Sequence, residues 1–402
     1  MRTSNALAPS LFMALALAFG SAACAIDPAA PGASPTDPSA PATAPLPGPI
    51  GPPAALDFTP SNFDLRGVDV AKLGDVVVSE APCHVRSDEA DACRSIDPAR
   101  TAFKLVDQPG GGKLGVYFAR NWRIEPNAAI QVAGPYAIAF VALDTFSLEG
   151  SLDVSARGDG VSPGGYKAPH NSGGGKVDGA GKGGGRAGTS SSGAGGGGYC
   201  GAGGRGGRND PSATASSGGG VYGSDALVPL VGGSSGGLGE ITAGSGGGAV
   251  QLVAGRRLVI GPLGVVSAGG GGGTFGGGPG AKQQPGSGGG SGGAILLEAP
   301  VVEHAGLVAA NGGAGGGREQ GQDARASEAP ATSAYSSEGT AGGEGSADAT
   351  VAGGDGVAIP DYAGTGGGGG AGRVRVNADR ATLTGKLSPA LGQCATQGRL
   401  KR

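Results

Sequence analysis

Short runs in which apolar residues alternate with polar or small ones recur along the chain, each framed by a shared pair of glycines. Val250 and Leu252 lie two and four positions after Gly248, Ile295 and Leu297 after Gly293, and Val374 and Val376 after Gly372. A second glycine follows in each copy, Gly264, Gly306 or Gly385, with Val266, Val308 or Leu387 two positions beyond it. The paired glycines are 13 apart in the second and third copies and 16 in the first. Ile138, Phe140, Gly150 and Leu152 form an earlier copy, and Trp122 to Gly134 reads as half of another. Period-two alternation is the signature of a strand, so each copy predicts two short strands around a turn.

One such unit buries only one narrow face. Several stacked units bury a common apolar column, which is the logic of a solenoid. The fold class expected is therefore all-β: a right-handed parallel β-helix or solenoid over residues 122–393, with small inward residues at Ala254, Ala299 and Ala378. Residues 56–121 form a leader region and 394–402 a tail. Thr59 to Val132 and Ala381 to Gln393 are expected to cover the open ends of the stack.

Glycine tracts separate the copies, from Gly158 to Gly248, Gly269 to Gly293 and Gly312 to Gly372. Two arrangements fit them. Polyglycine strands could pack tightly and share backbone hydrogen bonds, or the tracts could be flexible corner loops. Glycine loses the most backbone entropy on ordering, which favours loops. The polar, charged stretch from Arg318 to Gly356 is expected to be loose. Composition sharpens the picture: 90 Gly and 28 Pro in 402 residues without a strict three-residue period exclude collagen. One Trp, seven Tyr and nine Phe are few for a conventional globular core. A net charge of −3 with no basic stripe argues against nucleic acid as a partner.

The N-terminus reads as an export signal over residues 1–24. Arg2 precedes the apolar run Leu11 to Gly20, and Ser21 to Cys24 supplies small residues for cleavage. Two processing routes fit: lipidation of Cys24 as the first mature residue, or cleavage after Ala25. The Pro- and Ala-rich residues 25–55 form a disordered stalk, which suits an anchored protein and favours lipidation. The expected location is outer-membrane-anchored or extracellular. With Cys24 set aside, Cys83, Cys93, Cys200 and Cys394 are an even set suited to an oxidising compartment. Cys83 and Cys93 are close enough in sequence to predict a disulfide, and Cys200 with Cys394 follows by elimination. A metal centre recruiting His84 would lack a fourth ligand, so no metal or other cofactor is expected.

Catalytic chemistry finds little support. Matches to G-x-G-x-x-G carry no information in so glycine-rich a chain, and Gly183 stands where a phosphate loop needs Ser or Thr. The stretch Gly353 to Asp361 matches a calcium-binding repeat only once. The positions three after the first glycine, Gln251, Leu296 and Arg375, should point outward, and they form no carboxylate pair. His170 falls in a glycine tract. His304 sits at a strand end, where a solvent-facing or hydrogen-bonded imidazole is expected. Arg157-Gly158-Asp159 reads as a turn.

The stretch GSGGAILLEAP followed by GLVAANGGAGGG resembles a group of glycine-rich secreted proteins of myxobacteria and related bacteria, mostly uncharacterised lipoproteins. Thr59 to Gly67 and GSLDVSARGDG resemble parts of the same group. The resemblance implies a cell-envelope or extracellular location and a β-solenoid, and it brings no catalytic residues. The expectation is a non-enzymatic structural or adhesive lipoprotein, partnered by the membrane through its anchor and by extracellular glycan or matrix. A β-helix carbohydrate-active enzyme and a disordered glycine-rich matrix polymer are the alternatives.

Overall fold

A computed structural model describes residues 56–170, 176–274, 284–333, 340–358 and 363–402. The signal segment, Cys24 and the stalk to residue 55 lie outside the described residues. Among those described the chain is β-strand and extended segment, with one short 3₁₀ turn at Val70–Lys72.

Each copy of the repeat contains three strands rather than the expected two. The copy with the widest glycine spacing holds β10 (Ala249–Ala254), β11 (Arg257–Ile260) and β12 (Val265–Ser267). The next holds β13 (Ala294–Glu298), β14 (Val301–His304) and β15 (Leu307–Ala309). The last holds β16 (Arg373–Asn377), β17 (Arg380–Leu383) and β18 (Lys386–Ser388), with β19 (Ala395–Gly398) after it. The extra strand is the middle one. Its alternation (Leu258 and Ile260, Val302 and His304) resumes after a corner of only two residues, so it merges with the first run in the sequence.

Earlier in the chain come β1 (Asp75–Val78), β2 (Cys83–Arg86), β3 (Ala102–Asp107) and β4 (Lys113–Ala119). These are followed by β5 (Asn121–Ile124), β6 (Ala129–Ala133), β7 (Ala137–Ala142), β8 (Thr145–Leu148) and β9 (Ser151–Asp153). Each coil gives one strand to each of three sheets. The first face runs β19-β16-β13-β10-β7-β4-β3, the second β1-β5-β8-β11-β14-β17, and the third β18-β15-β12-β9-β6-β2. Every pairing is parallel except the β3–β4 hairpin, which closes one end. The arrangement is β-helix-like, with coils stacked in register.

Register turns the alternation into columns. Ile138, Val250, Ile295 and Val374 align across the first face, and Leu152, Val266, Val308 and Leu387 across the third. Inward residues from all three faces form one buried core. Each large one contributes about 2 kcal/mol through burial. The rings crowd toward one end: Trp122 meets Phe140 edge-on at 5.3 Å, and Tyr117 stacks on Phe140 at 5.9 Å. Ile96 and the disulfide-bonded Cys93 pack over that end. At the other end, Ala381 to Ser388 does not form a cap. It supplies β17 and β18, which are themselves edge strands.

The first face is buried on both sides. Phe58, Phe63, Leu73, Tyr199, Leu227 and Leu230 cover its outer surface, so β4, β7, β10 and β13 read as almost unbroken buried runs.

The described parts of the glycine tracts are not loose loops. Residues 192–199 are buried, and successive amides from Gly193 to Gly198 donate to three different neighbours in strict rotation. Gly193 and Gly196 bond to Gly207 and Gly204, Ala194 and Gly197 to Gly286 and Gly289, and Gly195 and Gly198 to Arg186 and Gly183. From Gly286 to Gly293 the same rotation serves three other segments, at Gly364 to Gly370, Ala268 to Thr274 and Ser234 to Gly237. A partner that changes with period three, with no bonds inside the strand, is the signature of a polyproline-II-type helix. Such strands pack side by side only without side chains. A Cβ on Gly196 would collide with the Gly368 carbonyl, and one on Gly193 with that of Thr365. Backbone hydrogen bonds here take the place of side-chain burial, and that overrides the entropic argument for loops. The described parts of Arg318 to Gly356 join the same layer, with Gly345 donating to the Ala331 carbonyl and Gly343 to that of Gly366.

Candidate functional site

The third face carries a groove of about 320 Å³, lined by outward residues of β6, β9 and β12 and walled by Ala324 and Ala326. Because outward positions alternate with inward ones, parallel register lines up His84, Gln131, Asp153 and Ser267 from four successive strands. They repeat at the ~4.8 Å strand spacing. Ser151 and Val265 form the adjacent row.

Local bonds fix these side chains. The Ser155 amide donates to Asp153 Oδ1 at 2.9 Å, and Arg157 Nη2 donates to Asp153 Oδ2 at 2.9 Å. The Ser155 and Ser267 hydroxyls lie 2.8 Å apart, and the Gly269 amide donates to Ser155 Oγ. Asp323 holds the wall in place by accepting from the Gly158 amide at 2.7 Å and the Gly272 amide at 2.9 Å. Asn311 Nδ2 donates to the Arg325 and Ser327 carbonyls. The result is a rigid trough offering an amide, hydroxyls, one carboxylate and one guanidinium. Asp153 is the one carboxylate among the residues lining it, so the carboxylate pair of a typical glycoside hydrolase is not assembled there.

The residues singled out from sequence fall in different places. Cys24 lies outside the described residues. Cys83 is bonded to Cys93, and Cys200 to Cys394, with Cα separations of 5.1 and 5.9 Å. His84 is exposed at the head of the groove row, and among the described residues no cluster of three or more candidate ligands could hold a metal ion. His170 is exposed, its backbone bridging to Thr242. In the 157–159 turn, Arg157 is committed to Asp153 and the Gly158 amide to Asp323.

One expectation holds in direction, on a face that is covered, and one is corrected. Gln251 and Leu296 point away from the coil interior but are fully buried, because residues 56–73 and the glycine layer cover that face; Arg375 is half-buried. His304 is neither solvent-facing nor hydrogen-bonded. It points inward in register with Ile260 and Leu383, is 1% exposed, and both ring nitrogens lack a partner. Burial holds its pKa below the ordinary imidazole value, with the Gly306 backbone opposing the shift.

Sequence reasoning missed Glu298, which is buried on the outer side of the first face. It accepts from the Ser61 amide and hydroxyl at 3.1 and 2.5 Å, Gln251 Nε2 at 2.5 Å and Asn377 Nδ2 at 3.0 Å. Four donors satisfy both its oxygens and clasp the leader segment to the stack. A lone carboxylate closing the apolar run Ala294–Glu298 was the available signal.

No protein-family model, curated protein or solved structure matches the chain.

Proposed function

We propose that the protein is a non-catalytic lipoprotein of the cell envelope or cell surface, and that its groove on the third face grips an extended polyhydroxylated polymer, a glycan or matrix strand. In this reading the three faces close into a right-handed solenoid, and Cys24 or, with cleavage after Ala25, Ile26 begins the mature chain. The observation that carries it is the row Gln131, Asp153 and Ser267 along the trough, with Gln131 and Asp153 half-exposed, Ser267 at its buried floor and exposed His84 in register beyond the lining. Evenly spaced donors and acceptors suit sugar hydroxyls. Without an aromatic platform in the lining, each contact is weak and strength comes from several engaged along the polymer. The single lining carboxylate, already held by Arg157, favours holding over hydrolysis.

The test is calorimetry against a panel of envelope and matrix polysaccharides. A binder should lose about tenfold in affinity in Asp153→Ala, which removes a charged acceptor. Gln131→Ala should weaken it further. Binding to none of the panel, or binding indifferent to both variants, would refute the groove; turnover of a polysaccharide would establish the enzyme reading instead. The Cys24 assignment is tested separately by the N-terminal mass of the envelope-extracted protein.

A further inference from the structure

We propose that the C-terminal end of the stack is a docking surface for an anionic phospholipid membrane, so that the domain settles on the surface to which its stalk is tethered. The direction of the tether rests on the export and anchoring reading above; the surface itself does not.

Charge is divided sharply along the chain. Residues 373–402 contain seven Lys and Arg against one Asp, a local charge of +6, whereas the rest carries 22 against 31, or −9. The fold gathers this basic segment at one end, because β17, β18 and β19 are the last strands of their three sheets. Lys386 and Arg402 are neutralised by Glu328, Asp57 and Asp379. Arg380, Arg399 and Lys401 are exposed and make no ion pair among the described residues. Apolar surface accompanies them. Leu391 is 48% exposed, and Leu383 and Leu387 are only half-buried, although Val308, one coil further in, is sealed. Exposed cations around a small apolar patch match a headgroup layer, where each Lys or Arg adds to electrostatic attraction.

The path of the chain agrees. The leader enters beside this end: Asp57 pairs with Arg402, and the Thr59 amide donates to the Lys401 carbonyl at 2.8 Å. Asp57 and Thr59 therefore lie next to the basic end. Residues 25–55, fully extended, would span about 100 Å, ample for this end to reach the surface. Charges on an edge strand also discourage strand pairing with another molecule, but Arg399 and Lys401 lie beyond β19 and that role does not need them.

The experiment is co-sedimentation of the unlipidated chain from Ala25 onward with phosphatidylcholine vesicles, with and without phosphatidylglycerol. The expected result is binding only to the anionic vesicles, reversed by salt. Each neutralised cation should cost about fivefold, so Arg380→Gln, Arg399→Gln and Lys401→Gln together should lose about a hundredfold. The matched set Lys72→Gln, Arg94→Gln and Arg100→Gln at the opposite end should lose little, and thermal melts check that both sets fold. Absence of binding, or equal loss in both sets, overturns the proposal. Concentration-dependent self-association abolished by the C-terminal set, without vesicle binding, would overturn it in favour of a contact between copies. Because the probe carries no lipid, failure here leaves the anchor at Cys24 to its own mass measurement.

Discussion

Gly196 makes the residue-scale argument concrete. Its amide donates to Gly204 at 2.9 Å, and a methyl on its Cα would collide with the Gly368 carbonyl. Gly196→Ala should destabilise the protein by about 3 kcal/mol, the scale of overpacking. Gly220, with nothing within 4 Å of an added Cβ, should accept Ala with a change under about 1 kcal/mol. Chemical denaturation of the two variants checks the contrast, and equal effects would mean the tracts are not close-packed. His304 gives a second test. Its folded pKa lies below the ordinary ~6.5, so the unfolded chain takes up a proton more readily. Stability should hold above that pH and fall as pH drops through it. His304→Leu, which suits the Ile260–Leu383 column, should remove the part of that loss that sets in as pH falls below about 6.5. An unchanged profile would mean the imidazole is solvated. The inward phase was legible in sequence, since His304 alternates with Val302. The missing partner was not, because nothing in a strand pattern states what lines the far wall.

At the scale of elements, the first and third strands of each coil could be read from Val250, Leu252 and Val266 and their counterparts. Alternation survives wherever one face meets the core. The groove could not be read that way. Its row joins His84 to Ser267 across four coils, and β2 lies in a segment with no recognisable copy of the repeat. Order in the glycine tracts was hidden for a different reason: lateral backbone bonds leave no hydrophobic pattern. One trace does remain, in the exposed residues Ala202, Arg205 and Arg208, spaced by three as a three-residue turn requires. The Cys200–Cys394 disulfide ties this layer to the strand that ends the first face. Its loop of 194 residues makes it worth about 5 kcal/mol in chain entropy, against about 3 kcal/mol for the 10-residue Cys83–Cys93 loop. Replacing Cys200 and Cys394 with Ser should therefore lower the melting temperature more than replacing Cys83 and Cys93. The reverse order would show that the short loop does more than restrict the unfolded chain.

For the whole molecule, two kinds of order share one chain. Three parallel sheets bury side chains, and polyglycine strands inserted between coils bury backbone. Each excursion leaves from the third face and returns to the first, so the layer grows with the coils and braces them. That accounts for the abundance of glycine among the described residues without invoking disorder. It also gives a scaffold stiff enough to hold a polar groove on one face and a basic surface at one end. Hydrogen–deuterium exchange of the tract around Gly193 to Gly198 tests this most directly. The account predicts amides protected to nearly the same degree as those of β10 and β13. Exchange of those amides at the rate of an unstructured chain, with β10 and β13 still protected, would contradict it.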